Sequence, residues 1–127
     1  MSVIEAQNAI IAHLKSLPNR PAIAYPNGPV VKVLPRIVVS IPSASQRTVT
    51  LCGETQADAE VIARVETQGG EFVTASNEIV GAIVDRFPFG DIGGGVTILD
   101  RPRPATAFRA DGVYYVPVLI RGRFYFS

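Results

Sequence analysis

The sequence has little of what most enzymes and metal proteins use. Its 127 residues include one cysteine, Cys52, one histidine, His13, and no tryptophan. A single cysteine excludes an intrachain disulfide and fits a reducing compartment. Because a catalytic triad or a zinc site needs several such side chains at fixed geometry, we interpret His13 as a rim residue of a helix and Cys52 as a half-buried strand residue. We therefore predict that the protein is not an enzyme and holds no cofactor or metal.

Charged residues and long apolar runs are also scarce. Only 18% of the residues are charged, whereas 47% are hydrophobic, and about 25% charged is typical. So few charges on a small domain suggest that a partner covers part of the surface. No apolar run approaches the ~20 residues that span a bilayer, and no basic run precedes an apolar segment at the start. We expect a soluble protein made in the cytoplasm.

The few charges are unevenly distributed along the chain. Residues 1–53 carry five basic side chains and one acidic, residues 54–100 two basic and nine acidic, and residues 101–127 five basic and one acidic. If these blocks occupy different faces, copies of the chain can dock head to tail and close into a ring. In the alternative interpretation, opposite charges alternate on one solvated surface. Both interpretations stay open at the level of the sequence.

Two helices are predicted from capping signals and apolar spacing. Residues 2–17 begin with the capping-box pair Ser2 and Glu5 and continue with apolar side chains at helical spacing. Residues 71–87 carry a second apolar stripe, which Pro88 ends. Both helices are expected to cover a sheet.

The remaining periodic segments are predicted strands. The middle connections are too short for parallel crossovers, so the pairing is expected to be antiparallel. Residues 53–58, 89–95 and 101–104 are interpreted as connections, and Pro117 is expected to leave one side of the last strand as an edge or a bulge. The fold class is a single α+β domain over residues 1–127, a mostly antiparallel sheet with two helices packed on it. The predicted order is α-β-β-β-β-α-β-(β)-β, with strands at 22–25, 36–41, 47–52, 59–67, 96–100, 106–108 and 113–126. The first strand lies between prolines and is therefore expected at an edge of the sheet.

The best candidate functional cluster lies in the last third of the chain, where arginines surround two tyrosines. Arginine neutralises phosphate and aromatic rings stack on bases, so a nucleic-acid face is one interpretation. An arginine-lined protein interface is the stronger one, because the chain has a net charge of only +1 and Arg and Tyr are enriched in interface hot spots. The cluster comprises Arg101, Arg103, Arg109, Arg121 and Arg123, with Tyr115 and Tyr125.

Three motifs together carry a resemblance to a known family. They are A-Y-P-N at residues 24–27, a helix ending in R-F-P at 86–88, and D-G-V-Y-Y-V-P-V at 111–118. With the helix that precedes them, the chain resembles, over nearly its whole length, the phage tail terminator-like family of long-tailed phages, prophages and gene transfer agents.

The resemblance implies a structural role without catalysis. Proteins of this family are similar to small α/β terminators that form a hexameric ring. The ring caps the tail tube when it reaches its set length and then presents a surface for joining the head. The implied partners are further copies of the chain, the major tail tube protein and a head completion or connector protein, and DNA passes through the lumen without sequence-specific binding. The implied location is the virion tail, after synthesis in the cytoplasm of the bacterial host, with no membrane involved.

The family pattern places no catalytic residue on this sequence, so the candidate site residues are interface residues. Two groups are predicted, one at the segment that matches A-Y-P-N and one at the basic end of the chain. They are Tyr25, Pro26 and Asn27 in the first group, and Arg101, Arg103, Arg121 and Arg123 in the second.

Three alternative functions remain open. The first is a head–tail connector or neck protein of the same particle. The second is a small non-catalytic α+β binding module, which needs a concave pocket with convergent polar groups. The third is a nucleic-acid-binding domain, whose affinity for DNA would fall steeply with salt.

Overall fold

Alternating strands and two amphipathic helices form an α+β fold, as the sequence predicts. The computed structural model describes residues 3–26, 28–42, 49–51, 54–70 and 73–126. Within these ranges the chain forms two helices and nine strands. They are α1 (Val3–Lys15), β1 (Ala22–Ala24), β2 (Arg36–Ser40), β3 (Val49–Leu51), β4 (Glu54–Gln68), α2 (Thr74–Arg86), β5 (Gly90–Asp91), β6 (Thr97–Ile98), β7 (Arg103–Pro104), β8 (Phe108–Ala110) and β9 (Val113–Phe126).

The strands form one mixed but mostly antiparallel sheet in the order β1-β2-β4-β9-β6-β5. The two long strands, β4 and β9, are antiparallel neighbours at its centre and pair from Thr55↔Phe126 to Gln68↔Val113. Strand β1 lies at one edge, as predicted, and pairs with β2 in parallel. Strand β5 lies at the opposite edge, while β3 pairs with β4, and β7 and β8 pair with β9.

The core lies between the helices and one face of the sheet. Successive side chains of a strand point to opposite faces, and in β4 from Ala57 to Val65 and throughout β9 every second residue is apolar or glycine. Both helices pack their apolar stripes on this face, which gives a two-layer domain. The fully buried side chains from the helical layer include Ile10, Leu14 and Ile83, and those from the central strands include Val61, Val65, Val118, Ile120 and Phe124.

The predicted helices are confirmed, each with shorter ends. The helix predicted over residues 2–17 spans Val3–Lys15, and that predicted over 71–87 spans Thr74–Arg86. Ser2 of the predicted capping box lies outside the described residues. None of the helices in the described part of the chain is long and apolar enough to cross a membrane.

Strand β4 is longer than the sequence predicts. The prediction placed a strand at 59–67 and a polar connection at 53–58, but the strand begins at Glu54. The alternation continues through Ala57, which is buried, and Asp58, which points away from the core. Alanine contributes little apolar contrast to a sequence pattern, so the first part of the strand reads as polar. Its pairing with β9 is what extends it.

Two short strands arise where the sequence predicts connections. Gly90–Asp91 pairs with β6, and Arg103–Pro104 pairs with β9. The predicted loop at 89–95 and the predicted connection at 101–104 are therefore wrong in part. Both strands have only two residues and form by pairing with a neighbouring strand, so the local sequence has no periodicity that predicts them.

Pro117 interrupts pairing on one side of β9 only. It lies opposite Arg64 in the continuous ladder with β4. Its carbonyl accepts a hydrogen bond of 2.7 Å from the backbone N–H of Ala105. Since both backbone groups of an antiparallel residue point to the same neighbour, the missing donor faces the gap between β7 and β8. The predicted interruption of the ladder is therefore present on the side away from β4, but Ala105 covers that side, so β9 has no free edge at Pro117.

Candidate functional site on the outer face of the sheet

The face of the sheet opposite the helices is the candidate functional surface. We call it the outer face; it consists of the side chains of β2, β4, β7, β8 and β9 that point away from the core. No described residue packs a second layer on it. Its character follows from the alternation within β4 and β9, because inward apolar residues alternate with outward residues that are mostly polar or charged, Ile62 and Leu119 being apolar exceptions.

Cross-strand ion pairs run along the centre of the outer face. Asp58 lies opposite Arg123 and Glu60 opposite Arg121 in the register of β4 and β9. The Arg123 Nε to Asp58 Oδ1 distance is 3.1 Å, and the Arg121 Nη2 to Glu60 Oε1 distance is 2.9 Å. Opposite charges facing each other across a strand pair stabilise the sheet. For these residues the acidic and basic blocks of the sequence alternate on one surface within one protomer, as in the second of the two interpretations of the charge pattern.

Glu66 is the anchor of a second, tighter ion-pair group on this face. Its side chain is 1% exposed, and it contacts Arg36 at 2.7 Å and Arg64 at 2.6 Å. A buried carboxylate is tolerated only when it is paired and hydrogen-bonded, and these two guanidinium groups supply both. Arg36 also donates from Nη1 to the carbonyl of Val31 at 2.7 Å. The group therefore ties β2, β4 and the segment between β1 and β2 together.

A stack of flat side chains lies beside this group. The guanidinium of Arg64 lies 5.1 Å from the ring centroid of Tyr115. Tyr115 stacks on Phe108 with a centroid distance of 4.9 Å and an interplanar angle of 12°. Phe108 is 47% exposed, so the end of the stack is open to a partner. Tyr115 is predicted from the sequence as part of the cluster, whereas Arg64 and Phe108 are not, because only the pairing of β8 and β4 with β9 brings the three together.

The predicted arginine cluster is brought together in part. Arg101, Arg103 and Arg121 line a pocket of about 30 Å³, and Arg121 and Arg123 line an adjacent one of about 100 Å³. Asp58 and Asp100 share the second pocket. Ligand sites are typically ~300–1,000 Å³, so these two shallow pockets suit contact with a macromolecule better than enclosure of a small molecule.

The other predicted group lies apart from the arginines. Tyr25 directly follows β1, at the edge of the sheet, with β2 and β4 between it and β9. Its side chain is half-buried and packs against the core, whereas Pro26 is exposed. Asn27 lies outside the described residues. The two predicted groups are therefore separate surfaces and do not form one site.

His13 connects the two helices. Its Nε2 donates a hydrogen bond of 2.8 Å to the carbonyl of Arg86, and its ring meets that of Phe87 edge-on at 5.0 Å. In the described residues no group of three or more His, Cys, Asp or Glu is arranged to hold a metal ion. Cys52 lies outside the described residues.

Comparison with known proteins shows solved structures with a similar fold. No family model and no curated protein matches the chain. One solved structure, whose name carries no function, is 16% identical and has a TM-score of 0.64, with 95% of this chain and 96% of that chain covered. A second is a chain of the virion of a native gene transfer agent particle, with 17% identity, a TM-score of 0.60 and 98% of each chain covered. The fold therefore resembles that of a chain in a gene transfer agent virion. At these identities the likeness concerns the fold, and it extends over the whole domain.

Proposed function

We propose that the protein is a virion structural protein, and specifically a tail terminator. It forms a ring on the end of the tail tube, ends polymerisation of the tube and offers a surface for joining the head. The observation that carries the proposal is the full-length fold likeness to a chain of a gene transfer agent virion. The three sequence motifs that resemble the terminator-like family support the finer assignment.

The positions of the motifs fit a scaffold that acts through its surfaces. The R-F-P motif ends α2 and buries Phe87 completely in the core. The D-G-V-Y-Y-V-P-V motif turns at Asp111 and Gly112, both at positive φ, into the central strand β9. The A-Y-P-N motif ends the edge strand β1. Pro21 and Pro26 flank this three-residue strand, which limits the addition of a further strand at that edge.

A non-catalytic role is part of the proposal. The carboxylates at the centre of the outer face, Asp58, Glu60 and Glu66, are each engaged by arginine. A general acid or base needs a hydrogen-bonding position toward a substrate, and these groups are committed to cross-strand pairs. What the outer face offers a partner is exposed guanidinium groups and the open ring of Phe108.

The partners follow from the same proposal. Further copies of the chain complete the ring, the tail tube protein contacts one rim, and a head completion or connector protein contacts the other. DNA passes through the lumen, and contacts with it are to the phosphate backbone, since arginines contact phosphates without reading sequence. The predicted residues Arg101, Arg103, Arg121 and Arg123 remain the proposed contact residues at the basic end, and Tyr25, Pro26 and Asn27 those at the edge.

The length of the tail distinguishes a terminator from a connector. We would delete the gene in the strain that produces the particle and measure tail lengths by electron microscopy. A terminator predicts tubes that grow beyond the normal length and carry no heads, and plasmid expression of the intact chain should restore both features. Tails of normal length that lack heads would contradict the terminator role and support a neck protein. Normal, infective or DNA-transferring particles would contradict both.

A further inference from the structure

The segment between β1 and β2 exposes large apolar side chains at one edge of the sheet. We call residues 28–35 the edge loop. Val30 is 81% exposed and Val33 is 71% exposed, and the exposed Lys32 lies between them. Hydrogen bonds from Arg36 to the carbonyl of Val31 and from the backbone N–H of Gly28 to the carbonyl of Tyr25 hold the loop. Val30 and Val33, with Lys32 between them, form an exposed apolar patch that carries a positive charge. Such a patch is typical of a contact surface.

The opposite edge of the same sheet carries a complementary feature. We call residues 88–92, around the two-residue strand β5, the Phe89 corner. Phe89 is 75% exposed, and Asp91 is exposed two residues later. The Asp91 Oδ1 accepts a hydrogen bond of 2.7 Å from the backbone N–H of Gly93, which holds the carboxylate in place. The corner thus presents an apolar side chain with a negative charge.

We infer that the edge loop of one copy docks on the Phe89 corner of the next copy. This inference rests on the proposed function, because it names the subunit contact of the proposed ring. Val30 and Val33 would cover the ring of Phe89, and Lys32 would face Asp91. Strands β1 and β5 are opposite edges of one sheet. When two copies are in contact, the first therefore still has a free Phe89 corner or edge loop and the second has the complementary one. Such a heterologous contact propagates from copy to copy and closes when the rotation permits.

A second copy is the occupant that the charges favour. The central carboxylates of the outer face are paired within the protomer, so they do not supply the complementary charge between copies. Lys32 and Asp91 have no ion pair within 4.0 Å among the contacts of the described residues, and they lie with the exposed apolar groups at the two edges. Complementary charge around an apolar centre favours one orientation of docking over others.

Cross-linking of two engineered cysteines tests the contact. In a Cys52→Ser background, Val30→Cys and Phe89→Cys would be combined and treated with a short bismaleimide at the highest soluble concentration. Both positions are highly exposed, so the substitutions should leave folding unchanged. The double variant should give a ladder of covalent trimers and larger multimers, whereas each single variant should stop at dimers. The matched control pairs Phe89→Cys with Val73→Cys, an exposed residue before α2, and should give no ladder.

A second variant tests the same contact without cross-linking. Val30→Asp should weaken self-association by about tenfold or more, as expected for an apolar anchor at an interface, with an unchanged urea midpoint. Assembly of the parent protein without a Val30/Phe89 ladder would overturn the inference and leave the proposed function standing. Absence of both assembly and ladder, with and without tube fragments of the particle as a template, would also overturn it, and the tail-length experiment then decides the proposed function by itself.

Discussion

Glu66 is the residue on which the outer face depends most. It is the one charged residue among the described residues that is fully buried, and two arginines from different strands converge on it. Their side chains are 21% and 41% exposed, so water screens them only in part. The free energy of such a group depends on its being complete, because the loss of the central charge leaves two guanidinium groups close together without a counterion.

Replacement of Glu66 should therefore destabilise the protein more than replacement of a neighbouring glutamate. We expect Glu66→Gln to lower the free energy of unfolding by about 2–3 kcal/mol, since charged hydrogen bonds are lost at a buried site. The matched control is Glu60→Gln, whose partner Arg121 is 49% exposed, and we expect a loss below about 1 kcal/mol. Urea unfolding measures both. Equal losses in the two variants would contradict the anchoring role of Glu66.

At the scale of elements, the central feature is the close approach of Val96, the residue before β6, to Gly122 of β9. Gly122 of β9 lies directly beneath Val96, and an alanine Cβ at position 122 would overlap Val96 Cγ1 and lie 3.4 Å from Ile10 Cδ1. Val96 and Ile10 are fully buried. Glycine at this position lets β9, α1 and the start of β6 approach each other closely, which closes the core at the β5 side of the sheet.

Alanine at position 122 should disturb this packing. We expect Gly122→Ala to lower the free energy of unfolding by about 1–3 kcal/mol, because the core there has no room for a methyl group. Gly81→Ala is the matched control: Gly81 lies in α2, where an added Cβ meets nothing within 4 Å, so this variant should gain about 0.5–1 kcal/mol. Thermal or urea unfolding measures both. A neutral Gly122→Ala variant would contradict the close approach of Val96 to Gly122. So would a Val96→Ala substitution in the same chain that fails to recover part of the loss in unfolding free energy.

At the scale of the whole molecule, one layer of helices covers one face of the sheet and leaves the other face and both edges to partners. The alternation in β4 and β9 underlies this asymmetry, since Asp58, Glu60, Arg121 and Arg123 lie at outward positions, with Ile62 opposite Leu119 as an apolar pair among them. The low content of charged residues in the sequence fits a molecule whose remaining surface is partly covered in an assembly.

The solution mass tests the proposed ring directly. Light scattering across a concentration series should give a mass near six times the 13.6 kDa of one chain, either for the protein alone or after tube fragments of its own particle are added as a template. The heterologous contact predicts that mass rises with concentration toward a fixed limit, because a closed ring has no unused edge. A strict monomer in both conditions would contradict the ring, and continuous growth would indicate an open filament.

Parts of the fold that depend on local pattern can be predicted from the amino-acid sequence. The two helices follow from apolar spacing and from terminators such as Pro88, and the alternation of β9 follows from residues 113–126 alone. The α+β class and the edge position of β1 follow from these elements and the short connections between them. All of them rest on side chains within a few residues of each other, where period and turn chemistry decide the structure.

Which distant residues come into contact cannot be predicted from local pattern and depends on the tertiary structure. The start of β4, the strands β5 and β7, the burial of Glu66 and the stack of Arg64 on Tyr115 all depend on strand register, and register is set by contacts between distant segments. The same applies to the candidate site: the sequence suggested the arginines, but it did not place them opposite Asp58 and Glu60 or separate them from Tyr25. A cross-strand ion pair cannot be predicted from either strand alone. In the sequence each partner looks like any solvent-exposed charged residue, and only the pairing of the strands brings the two together.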